Sequence, residues 1–267
     1  MSRAALFPPV PDPVRLAAAM ACPPCDRVLA IHFTPRSGSS RLTEILARTG
    51  RLGHAHELFN PNFMPAIAAT LGAGDLDGYI AAARRGLAVG GTLGFEITAH
   101  QMRRVFGGPR GFRRAFPEAR SVWLIREDIV AQAVSLARMV GSGVAHSVEP
   151  HADSAPPFPY DAAGIRRWLD HILRAEDRDA AFFDSFGIAP LRLSYERSIA
   201  VPPAALAARI ADHAGVALGP ASDAPLSHAK IGGAENAAHA ARFRADHPRL
   251  VARIARRRRA RLDLLTG

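Results

Sequence analysis

The segment Thr34-Pro35-Arg36-Ser37-Gly38-Ser39-Ser40 gathers the groups that bind an oxyanion. Ser37, Ser39 and Ser40 supply hydroxyl donors, Arg36 supplies a fixed positive charge, and Gly38 lets the backbone approach a ligand closely. An apolar run precedes the segment and a helical pattern follows it. Backbone amides at such a helix start, together with the helix dipole, favour a phosphate or sulfate. A strand-to-helix turn with serine caps accounts for the same residues. The G-x-x-x-x-G-K-[ST] loop of nucleotide kinases is absent, because neither its second glycine nor its lysine stands at the required spacing.

A second constellation is Arg126-Glu127-Asp128-Ile129-Val130-Ala131-Gln132-Ala133-Val134-Ser135. Arg126 closes an apolar run, at the carboxyl edge of a sheet where open α/β folds bind ligands. Asp128, Gln132 and Ser135 recur at four and three residues and share one helix face. Such a stripe faces either solvent or polar partners. A third group, Gly53-His54-Ala55-His56-Glu57-Leu58-Phe59-Asn60, offers Glu57 or His56 as a general base.

The elements that must carry these groups are legible. Val28, Leu29, Ala30, Ile31 and Phe33 form a nearly continuous apolar run, as do Thr92 to Thr98, Ser121 to Ile125 and Leu191 to Tyr195. Runs of this kind suit strands buried on both faces of a parallel sheet. Leu42, Ile45 and Leu46 recur at helical spacing, with Gly50 where a C-cap belongs. A long helix is expected from Tyr195-Glu196 to Gly215-Val216. Alternating strands and helices predict an α/β fold, a parallel sheet flanked by helices. Residues 1–26 read as a proline-rich arm, 27–267 as a single domain, and 141–160 as a substrate-side loop.

The 267 residues are 48% hydrophobic and 22% charged, an ordinary globular composition. No stretch is apolar enough to span a membrane, and no apolar secretory leader precedes the first strand, so a cytoplasmic location is expected. Cys22 and Cys25 lack the partners of a zinc site, and His54 and His56 lack a third ligand, so no metal is expected. The formal charge of +10 rests on arginine, since Lys230 is the only lysine. Arginine surplus suits phosphate and sulfate recognition. The run Arg256 to Arg259 reads as a solvated helix face. It carries no interleaved stacking aromatics, and no nucleic-acid partner is expected.

The R-S-G-S-S loop, the sequence R-E-D-I-V-A-Q-A-V-S from Arg126 to Ser135, the G-x-x-x-E-x-F around Glu57 and the Tyr195-Glu196 pair together resemble the trehalose 2-sulfotransferase (Stf-type) family, over about residues 28 to 245. The resemblance implies a P-loop nucleotide-kinase-like sulfotransferase fold. It implies 3′-phosphoadenosine 5′-phosphosulfate as sulfuryl donor and a hydroxyl acceptor, carbohydrate or glycolipid. By the same resemblance Arg36, Ser37, Gly38, Ser39 and Ser40 would hold the 5′-phosphosulfate, Arg126 and Ser135 the 3′-phosphate, and Glu57 would be the base. Arg242, in Arg242-Phe243-Arg244, would join the donor site, and the protein would be a homodimer. The sequence departs from the family at Glu96, where a lysine is frequent, and at Ala145, where a tryptophan is common. Outside the resemblance, a degenerate P-loop phosphotransferase and an arginine-rich polyanion-binding protein remain as alternatives.

Overall fold

A computed structural model describes residues 6–142, 158–219, 226 and 233–265. The first half runs α1 (Pro13–Met20), β1 (Arg27–Phe33), α2 (Ser39–Arg48), α3 (Met64–Leu71), α4 (Leu76–Gly86), β2 (Thr92–Ile97), α5 (Ala99–Phe106) and α6 (Pro109–Ala115). It continues β3 (Arg120–Ile125), α7 (Ile129–Ser142), α8 (Ala162–Ser185), β4 (Leu191–Ser194), α9 (Tyr195–Ala200), α10 (Pro203–Ala214), α11 (Ala234–Asp246) and α12 (Pro248–Asp263).

The four strands form one all-parallel sheet in the order β2-β1-β3-β4. Alternate side chains of β1 feed opposite layers. Val28 and Ala30 join an aromatic core with Phe59, Phe95, Phe106, Phe112 and Phe116. Leu29, Ile31 and Phe33 pack with Leu42, Ile45 and Leu46 of α2 and with Leu206 and Ile210 of α10. A third cluster joins α7, α8, α11 and α12 beside the sheet. Burial on both faces is what the apolar strand runs require.

From β1 the chain moves to one side to make β2, and from β3 it moves to the other side to make β4. The carboxyl ends of β1 and β3 therefore border a topological switch point, the place where sheets of this kind take ligands. Both sequence motifs leave the sheet there.

Two expectations change and a third is not reached. The helix expected from Tyr195 to Gly215 is two helices, because Pro202 and Pro203 cannot continue α9 and instead start α10. The proline-rich arm contains α1, and Leu6 lies in the aromatic core at 1% exposure. Of the proposed loop 141–160, residues 143–157 lie outside the described residues, as do Ala145 and Lys230.

Candidate active site

The turn after β1 is shaped by two left-handed residues, Arg36 at φ 68° and Gly38 at φ 87°. A Cβ on Gly38 would stand 2.3 Å from the Tyr195 ring, so glycine is required here both by conformation and by space. Gly38 is also the N-cap of α2, and no side chain caps that helix. Its first amides are left for another acceptor. Ser37 is fully buried, and its hydroxyl has no hydrogen-bond partner among the described residues.

Gln132 and Ser135 of the stripe face this turn, not solvent, while Asp128 accepts the Ala131 amide at the start of α7 and pairs with Arg244. Gln132 Nε2 donates to Thr34 Oγ1 at 2.8 Å and to the Pro35 carbonyl at 2.9 Å. Arg36 Nε donates to Ser135 Oγ at 3.0 Å. Arg126 Nη1 donates to the Arg36 carbonyl at 3.3 Å, and its guanidinium lies 5.1 Å from the Tyr195 ring centre. Arg36 and Arg126, expected at opposite ends of a bound nucleotide, thus stand side by side with Ser135. Burial, and then the Arg126 charge, push the Arg36 guanidinium below its ordinary value. An anion between the two arginines relieves both penalties.

The end of β3 is itself held. Glu196 accepts the Glu127 and Asp128 amides at 2.8 and 3.2 Å, and lies 3.7 Å from Arg126 Nε. Glu127 accepts from Ser194 Oγ at 2.5 Å and from Arg197 at 3.1 Å. Arg258 of α12 donates to the Arg126 carbonyl at 2.6 Å, to the Glu127 carbonyl at 2.8 Å and to both oxygens of Glu176 at 2.8 and 2.9 Å.

Arg258 corrects the reading of its arginine run. Arg256, Arg257 and Arg259 are exposed, whereas Arg258 is 1% exposed. The sequence does hold a signal for this. Val251, Ile254 and Leu262 form the inward stripe of α12, and Arg258 falls four residues after Ile254 on the same stripe. Arg242 is not brought to the cluster. It is exposed, pairs with Asp246 at 3.6 Å and lies over the Tyr160 ring. The residue of α11 that reaches the β3–α7 connection is Arg244, which donates to Asp128 Oδ1 at 2.5 Å.

Glu57 lies in a cleft of about 460 Å³ that Ser40 and Thr43 of α2 also line. Asn60 and Gln101 donate to its Oε2 at 2.7 and 2.9 Å, so Oε1 is the oxygen left to take a proton. Gln101 also closes a capping box with Thr98 at the start of α5, which locks its amide in place. The segment leading to Glu57 is strained, with Ala55 at φ 45°, and pairs with β2 through the Glu96 amide and the His56 carbonyl at 3.0 Å. Burial, then the His54 charge, lower the affinity of His56 for its proton.

Glu96 shares the cleft. Ser39 hydrogen-bonds its carboxyl, while Oε1 has no partner. Burial, and then the Glu57 charge, push its pKa up to about 8, so Glu96 is mostly protonated at neutral pH. Among the described residues no group of three or more His, Cys, Asp or Glu could hold a metal ion, and no helix is long and apolar enough to cross a membrane.

Residues 98–246 match the model of the Stf0 sulphotransferase family. That span holds Arg126, Gln132, Ser135, Tyr195 and Arg244, while the β1 turn, Glu57, Glu96 and Arg258 lie outside it. No curated protein matches the chain.

Proposed function

Since the chain belongs to the Stf0 sulphotransferase family, we propose that it moves a sulfuryl group from 3′-phosphoadenosine 5′-phosphosulfate to a hydroxyl of a carbohydrate or glycoconjugate. The observation that carries the donor assignment is the switch-point cluster. Two arginines meet there beside Ser135, and the uncapped start of α2 and the unpartnered Ser37 hydroxyl lie in the same turn. A ligand with two separated phosphate groups answers both features. The Arg36–Arg126–Ser135 cluster suits one group, and the amides and hydroxyls of Ser37, Gly38, Ser39 and Ser40 suit the other.

The donor supplies an activated sulfuryl group attached to phosphate. The α2 amides and the hydroxyls of the same turn, with the Arg36 charge close by in that turn, neutralise charge that grows on that phosphate as its bond to sulfur breaks. Glu57, fixed by Asn60 and Gln101, accepts the proton of the attacking hydroxyl on Oε1. His56 is the rival base, since its lowered proton affinity leaves it neutral at physiological pH.

Calorimetric titration with 3′-phosphoadenosine 5′-phosphate in the presence of a chelator, against ATP with magnesium, tests the donor reading. Metal-independent binding of the former and much weaker binding of ATP are expected. The opposite ranking would mean a phosphotransferase site.

A further inference from the structure

The walls of the Glu57 cleft are of two kinds. The start of α2, the connection before Glu57 and strand β2 contribute Ser40, Glu57 and Glu96. Helix α3 and the end of α4 contribute Phe63, Ile67, Leu71 and Leu87. Phe63 is 51% exposed, an uncommon setting for a phenyl ring with a buried aromatic core so near. Its neighbours Ile67 and Leu87 are only partly covered. The apolar wall is continuous with the carboxylate end, so one ligand can touch both.

Resting on the sulfotransferase reading, we infer that the acceptor is an amphiphile of the alkyl glycoside class, with its sugar hydroxyls at Glu57 and Glu96 and its hydrocarbon chain along Phe63, Ile67, Leu71 and Leu87. Two observations separate this from a plain sugar and from a plain fatty alcohol. A free sugar leaves the exposed Phe63 ring and the uncovered parts of Ile67 and Leu87 facing water, at a loss for each methylene they could bury. A fatty alcohol brings one hydroxyl, and Glu57 takes it for the reaction. The buried Glu96 Oε1 is then still unpartnered. A second sugar hydroxyl supplies that partner, and rotation of the carboxyl group about its last torsion brings either oxygen to it. Ser39 joins the two sites, since it bonds Glu96 from the first turn of α2, the helix whose amides face the donor.

Octyl glucoside below its micelle concentration, glucose and 1-octanol are the probes, titrated by calorimetry into the protein alone and into protein holding 3′-phosphoadenosine 5′-phosphate. Octyl glucoside should bind saturably and at least about a hundred-fold tighter than either other probe. Phe63→Ser should reduce that preference over glucose by about ten-fold, and Glu96→Ala should weaken octyl glucoside and glucose but not octanol. Equal binding of glucose overturns the apolar half of the assignment, and equal binding of octanol overturns the sugar half. Non-saturable binding that ignores Phe63→Ser overturns both. Failure of the nucleotide to bind while octyl glucoside still does refutes the donor reading and supports the cleft assignment. Nucleotide binding without octyl glucoside binding does the reverse.

Discussion

Arg258 Nη2 donates to the carbonyl oxygen of Arg126, so two arginines 132 residues apart are joined through the backbone of one and the side chain of the other. The contact costs no charge repulsion at close range, because Glu176 holds the Arg258 guanidinium with both oxygens. Arg126 keeps its own guanidinium for the turn after β1.

Arg258→Met should therefore lower stability, by less than the about 3–5 kcal/mol of a buried carboxylate left wholly alone, because Arg261 Nη1 still donates to Glu176 Oε2 at 2.7 Å. The double variant Arg258→Met/Glu176→Met removes both charges and should regain most of that loss. Binding of 3′-phosphoadenosine 5′-phosphate should stay weak in both, because the carbonyls of Arg126 and Glu127 have lost their donor. Thermal melts and calorimetry on the same samples separate the two effects. Full recovery of nucleotide binding in the double variant would reduce Arg258 to a stabilising role.

Arg126→Ala should weaken that nucleotide by ten- to a hundred-fold, from the roughly 1.5–3 kcal/mol of a charge-assisted hydrogen bond. Ser135→Ala should cost less, and the two losses should not add. Arg36 lies between them, bonded to Ser135 through its side chain and to Arg126 through its carbonyl. Strict additivity in a double-mutant cycle would place the residues in separate sites.

Gly38→Ala introduces a Cβ 2.3 Å from the Tyr195 ring at a φ of 87°. Nucleotide binding should fall below detection while the far-ultraviolet circular dichroism is retained. Gly38→Ala/Tyr195→Ala removes the collision but keeps the conformational cost of roughly 1 kcal/mol or more, so partial recovery is expected.

Glu57→Gln preserves the shape of the side chain and removes its basicity. Turnover should fall by about 10²-fold or more with nucleotide affinity unchanged. A large turnover loss in His56→Ala beside near-normal turnover in Glu57→Gln would transfer the role to His56.

His32 sits in β1 among the rings of Phe112, Phe182 and Phe183, with Ser121 Oγ 3.3 Å from Nε2. Burial drives its pKa down to about 3. The folded state thus binds this proton less readily than the unfolded chain. Its contribution is fully present above about pH 6.5 and is lost as pH falls from there toward 3, with a slope of up to about 1.4 kcal/mol per unit. His32→Phe keeps the ring stacking without the titration, so the stability difference between wild type and variant should change across that window and be constant above it. A difference independent of pH would rule out this source of acid sensitivity.

The strands were legible because each is an apolar run bounded by polar residues, and burial on both faces leaves such runs no other use. Their limits agree with the structure to within a residue or two. The turn after β1, the Arg126 to Ser135 stretch and Glu57 could be picked out by residue type. Their mutual distances could not, because contacts such as Arg36 to Ser135 span 99 residues of chain. Pro202 and Pro203 in fact announced the break between α9 and α10, but the surrounding alanines masked it. Arg258 was hidden by its three exposed arginine neighbours, although its place on the inward stripe of α12 distinguished it. Glu96 was visible as a departure at one position, but its raised pKa arises only when the connection after α2, carrying Glu57, is laid against β2.

The strand order has a bearing on how the molecule comes into being. The first of the four described strands, β1, is an inner strand whose two neighbours begin at Thr92 and Arg120. A chain interrupted before Arg120 therefore exposes one edge of β1 to solvent and to other nascent chains. The sheet can close only after long-range pairing, which makes such topologies slow to form. The donor to the Arg126 carbonyl comes later still, within the last helix. On the proposed function, nucleotide binding thereby depends on α12 being in place, and a chain cut before Arg258 should keep its sheet and bind nucleotide weakly.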